Sequence, residues 1–115
     1  MSEQHHLDHA ALAELRDVME EEFVILINTF LEDAQERLAK LCEAASGTDA
    51  AAFRKVAHSF KGSCINIGAP LLADYCFAAE QAGREEDLSQ SRQHIATIEA
   101  ELETVSQELR RYISE

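Results

Sequence analysis

Proline occurs once and glycine four times in this 115-residue chain. A sheet protein needs more turn residues than that. Between these few breakers run stretches rich in Ala, Leu, Glu, Gln and Arg, all good helix formers. The shortage of breakers points to an all-helical domain, and the length fits a single one. Basic residues are also scarce: 10 Lys and Arg stand against 22 Asp and Glu, for a net charge of -12. Such a chain is repelled by nucleic acid and by anionic membrane surfaces. Its expected partners are proteins, or ligands that carry local positive charge. No apolar run reaches membrane-spanning length and no signal-peptide pattern opens the chain, so a cytoplasmic location is expected. Cysteine occurs three times, an odd number, with no C-x-x-C pair. Cys42, Cys64 and Cys76 all fall at helical spacing among apolar residues and are expected to be small core thiols rather than metal ligands.

What the chain does have is apolar periodicity at 3–4 spacing. A short first helix is expected over about 8–18, with Asp8 as N-cap and Leu7 with Leu12 as a hydrophobic staple. A bend is expected near Met19 and Glu20, where the stripe changes phase. A long second helix follows over about 21–45, carrying Phe23, Ile27, Phe30, Leu31, Ala34, Leu38, Leu41, Cys42 and Ala45 inward. Ser46-Gly47-Thr48-Asp49 ends it and caps the third helix, over about 50–67, with Phe53, Val56, Ala57, Phe60, Cys64 and Ile67 in its core face. Pro70 suits the first turn of a fourth helix, which runs to about Ala82, with Gly83 expected just past its end. A fifth helix begins after Asp87 and reaches about Tyr112. Short turns between amphipathic helices imply an antiparallel up-down-up-down four-helix bundle, with the short N-terminal helix capping one end. The chain is read as one domain over 1–115, with 1–7 a flexible N-terminal segment.

His58 is the informative residue. At 100° per residue it lies about 150° from the centre of its helix's apolar stripe, so it is expected to point outward. Arg54, Lys61, Gly62 and Ile65 fall within about 60° of it on the same face. Glycine inside a helix costs about 1 kcal/mol relative to alanine. One turn beyond an outward histidine, it removes a side chain that would crowd a docking macromolecule. Between Ala50 and Ala73 there are three basic residues and no Asp or Glu. A basic island around a surface histidine favours a local anion. Neutral imidazole is a nucleophile near neutral pH, and phosphoryl transfer depends mainly on positioning and charge stabilisation. No Walker loop or kinase glycine loop is present, so no ATP site and no autonomous kinase activity are expected.

The run Ala57-His58-Ser59-Phe60-Lys61-Gly62, followed by Gly68-Ala69, resembles the signature of histidine-containing phosphotransfer (HPt) domains, approximately A-H-x-L-K-G-x-x-x-x-x-G-A. The likeness extends over nearly the whole chain and is closest to a stand-alone bacterial HPt protein. It implies a phosphorelay intermediate. His58 matches the phosphoryl acceptor, Lys61 the position that stabilises charge, and Gly62 the one that clears space. Gly68 matches the helix-ending glycine, and Phe60 stands where Leu is usual. The implied partners are the receiver domains of hybrid sensor histidine kinases and of response regulators, met by a monomer. Magnesium in such relays belongs to the receiver, so no cofactor is expected on this chain. Arg54 and Ile65 are the docking candidates beside the histidine, with Met19 and Phe23 as weaker ones.

Two other readings compete with the relay: a helical adaptor in which His58 is incidental, and a phosphate sink that drains a receiver without feeding a target. A metal site at His5, His6 and His9 has helical i, i+4 spacing in its favour, but no further ligand lies near in sequence. His94, among polar neighbours on the last helix, is expected to be solvated.

Overall fold

In the computed structural model, which describes residues 5–114, Asp8 caps the first helix by accepting a hydrogen bond from the backbone N–H of Ala11 at 3.1 Å. The helices are α1 (His9–Met19), α2 (Glu22–Ser46), α3 (Ala50–Ile67), α4 (Pro70–Arg84) and α5 (Ser91–Ile113), with no strand among the described residues. The expected bend after α1 is real: Glu20 adopts φ 54°, which breaks the helical phase. Asp49 caps α3 through Ala52 N–H. Gly68 ends α3 in the left-handed region at φ 81°, where a side chain would be strained. Its carbonyl accepts the Asp8 N–H at 2.7 Å, tying the start of α1 to the α3–α4 turn.

Each long helix buries its apolar stripe against two others. α3 packs on α2 and α4, α5 packs on α2 and α4, and α1 lies on α2. Phe23, Phe53 and Phe60 are among the largest fully buried side chains, so Phe60 fills the core in place of the leucine of the family pattern.

The structure corrects the sequence reading in four places. Cys42 is exposed, whereas Cys64 and Cys76 are buried; the α2 stripe continues through Leu41 and Ala44 instead. Gly83 does not follow α4 but lies inside it, buried. A Cβ on Gly83 would stand 2.8 Å from the backbone N of Arg54 and 2.9 Å from its Cα, so this glycine lets α3 and α4 approach closely. The segment 1–7 is not loose at its end, because Leu7 is 1% exposed and packs in the core with Leu12. The first four residues of that expectation lie outside the described residues. Finally, Phe23 is 1% exposed and belongs to the core, which removes it from any docking surface.

Candidate functional site

His58 points outward as its periodicity predicts, with 67% of its side chain exposed. Against it sits a residue the sequence reading missed. Glu80, on α4, is only 3% exposed. It stands in the buried stripe with Cys76, Ala79 and Gly83, on the side of α4 that meets α3. The close approach at Gly83 brings this carboxylate beneath the imidazole. His58 Nδ1 lies 3.0 Å from Glu80 Oε2, Lys61 Nζ lies 2.9 Å from Oε1, and Arg84 Nη2 lies 3.4 Å from Oε2. One buried carboxylate therefore gathers three nitrogens.

Burial works to raise the pKa of Glu80, but the hydrogen bonds from Lys61 and His58 outweigh it and hold the carboxyl below its ordinary value. An ionised carboxylate only accepts hydrogen bonds. Nδ1 of His58 is thus assigned as the protonated nitrogen, which leaves the lone pair on Nε2. The ring is consequently fixed in the tautomer that makes Nε2 the nucleophilic atom.

The basic island inferred from sequence is acid-free along the chain but not in space. Glu80 enters it from another helix and takes up part of the charge of Lys61. The cluster still favours an anion, because Lys61 and Arg84 together outweigh the single carboxylate. Lys61 is further held by an aromatic face: its Nζ lies 5.1 Å from the ring centroid of Phe77, a half-exposed residue on α4.

A Cβ built on Gly62 meets nothing within 4 Å, so no contact inside the chain requires glycine there. Ile65 is 61% exposed on the same helix face. Arg54 is exposed one turn before His58, its backbone set against Gly83. Met19 is half-buried and packs on the core. Arg37 Nε donates to Ser59 Oγ at 3.1 Å, which places the middle of α2 level with His58. Phe23 lies 14 residues earlier on α2, about 21 Å along the axis at the usual helical rise. Of the N-terminal histidines, His6 pairs with Glu101 at 2.7 Å, and His9 contacts Tyr112 and Glu108. No cluster of potential metal ligands occurs among the described residues.

The sequence held one signal for Glu80. Leu72, Cys76, Ala79 and Gly83 mark the inward stripe of α4, and a carboxylate beside them calls for a partner. Arg84 follows as the i+4 partner of Glu80. Nothing on α4 alone indicates that the partner is His58.

A family model described as the Hpt domain matches residues 25–108. The chain belongs to the Hpt domain family. Among solved structures, it is similar to histidine-containing phosphotransfer protein B (HptB) from Pseudomonas aeruginosa PAO1, with 41% sequence identity, a TM-score of 0.90 and 93% of each chain covered. Comparison with curated proteins found no match. Histidine phosphotransfer in two-component signalling is the activity that this family membership supports.

Proposed function

We propose that His58 accepts a phosphoryl group from the receiver aspartate of a hybrid sensor histidine kinase and passes it to the aspartate of a response regulator. The observation that carries this reading is the imidazole itself, largely exposed and held at Nδ1 by buried Glu80. In the first transfer the Nε2 lone pair attacks phosphorus as the bond from phosphorus to the aspartyl oxygen breaks, and that electron pair stays on the carboxylate. The Nδ1 proton remains where it is, facing Glu80, so the phosphorylated ring is cationic with a counterion beneath it. In the second transfer an aspartate oxygen attacks phosphorus, the P–Nε2 bond breaks, and its electrons return to Nε2. Neutral imidazole leaves. No separate base is required in either direction.

Lys61 offers positive charge beside the transferring group, and Gly62 leaves room for the receiver, whose Asp-rich pocket holds the magnesium. Arg54 and Ile65, exposed on the face of His58, are the docking candidates that keep their place in this reading. Met19, half-buried at the distant α1–α2 bend, becomes a peripheral one. A monomeric, cytoplasmic protein organised as one domain completes the reading, and no helix is long and apolar enough to cross a membrane among the described residues. An antiparallel up-down-up-down arrangement of α2 to α5 belongs to the same proposal. It is supported by the ring of helix contacts and by the reversed register across α3 and α4, where Arg54 meets Gly83 and His58 meets Glu80.

Replacing His58 with Gln in the host tests this against an adaptor role. A relay loses its partner-dependent output completely while the protein stays folded. An output that persists in His58→Gln overturns the proposal.

A further inference from the structure

Lys61 has much conformational freedom to lose. Its ammonium ends a flexible four-carbon stem with many rotamers. Yet its side chain is only 22% exposed. Two groups on α4 hold it. Glu80 Oε1 takes it at 2.9 Å, and the ring of Phe77 lies 5.1 Å away. The carboxylate is shared with His58 and Arg84, so it does not belong to Lys61 alone. Phe77 is 45% exposed, one of five exposed large apolar side chains among the described residues. The charged group over its ring is the Lys61 ammonium.

We infer that Phe77 is a positioning residue for phosphotransfer, holding the Lys61 ammonium beside His58 through its aromatic face. This rests on the proposed role of His58 and extends it. When a phosphoryl group reaches Nε2, its oxygens compete with Glu80 for the Lys61 charge. A lysine held only by the carboxylate would be free to follow either anion or to turn to water. The ring gives the ammonium a neutral seat that remains while the ionic partner changes. Attraction between a cation and a ring face does not require Phe77 to lose its own exposure. The ring also shields one side of the ammonium from solvent, which strengthens its interaction with a nearby anion.

The test is a double-mutant cycle on the full chain. The maximal rate of transfer from a saturating phosphorylated receiver is measured for wild type, Phe77→Leu, Phe77→Tyr, Lys61→Ala and Phe77→Leu with Lys61→Ala. Leu keeps the apolar bulk and loses the ring; Tyr keeps the ring. The expected result is a drop of about two- to fivefold for Phe77→Leu, the size of a partly exposed cation–ring contact. Phe77→Tyr should stay at the wild-type rate. In the Lys61→Ala background, Phe77→Leu should cause no further loss. A Phe77→Leu rate equal to wild type overturns the inference. So does an equal loss with and without Lys61, which would mark Phe77 as a plain docking residue. The contact has its own readout in the Lys61 Hε resonances, which the ring shifts upfield in wild type and releases in Phe77→Leu. A wild type that takes no phosphoryl group at all would instead refute the role of His58.

Discussion

Changing each of two helix-interior glycines to alanine should move stability in opposite directions. Gly62 and Gly83 both lie inside helices. On propensity alone either substitution stabilises by about 1 kcal/mol. The surroundings decide the rest. The new methyl at position 62 meets nothing within 4 Å, so the full gain should appear. At position 83 it would lie 2.8 Å from Arg54 N, 2.8 Å from Arg54 Cβ and 2.9 Å from Arg54 Cα. Backbone atoms cannot turn aside, so α3 and α4 must separate. Overpacking of this kind costs about 1–3 kcal/mol. The two alanine variants should therefore differ by that amount, with Gly62→Ala above wild type and Gly83→Ala at or below it. In a domain of this size each kcal/mol moves Tm by about 4 °C, giving a separation of roughly 4–12 °C. Urea unfolding and thermal melts of the three proteins measure it. Separation of the helices should also loosen the His58–Glu80 contact, since Arg54 and Gly83 lie one turn from it. If Gly83→Ala proves as stable as Gly62→Ala, the claim that glycine sets the α3–α4 approach is wrong. A bulkier Gly62→Gln keeps the helix and should block transfer from a receiver, because its side chain projects where the partner must come.

Two further outcomes concern pH. Glu80 has its carboxyl held below the ordinary value, so its stabilising effect is present above about pH 4.3 and lost as pH falls through the lowered folded value. Glu80→Gln should thus cost about 1–3 kcal/mol at pH 7, leaving Lys61 and His58 without their anion, and the gap to wild type should close in urea titrations as pH falls through the lowered folded value. A gap that persists there would mean the loss is packing rather than charge. His6 behaves with the opposite sign: its hydrogen bond to Glu101 raises its pKa. That contribution is full below about pH 6.5 and fades as pH rises through the folded value. Melts of His6→Gln should fall short of wild type at pH 5.5 and converge on it above pH 9; a constant difference would rule out the ion pair as the cause.

The helices were readable in the sequence because each buries a stripe, and a stripe has a period. The outward direction of His58, the bend at Glu20, the Asp8 and Asp49 caps and the left-handed Gly68 all follow from rules that act within one helix or turn. What stayed hidden lies between helices. Glu80 meets His58 across 22 residues of sequence, and its role depends on how closely α4 approaches α3. Gly83 looked like a helix end because glycine often is one. Its reason is instead the backbone of Arg54, which no local pattern on α4 reveals. Cys42 faces solvent because a long stripe can drift by one position, here along Leu41 and Ala44, without leaving the 3–4 rhythm. The burial of Leu7 follows from the Leu7–Leu12 staple, which ties the chain to the start of α1.

The central claim is that Nε2 of His58 carries a phosphoryl group. The most direct measurement is to incubate the wild type and His58→Gln with labelled, phosphorylated receivers drawn from the host's full set. The account predicts one acid-labile, base-stable phosphoryl group per wild-type chain, on His58, and none on His58→Gln. A label that survives in His58→Gln, or a wild type that no receiver of the host labels, would contradict it.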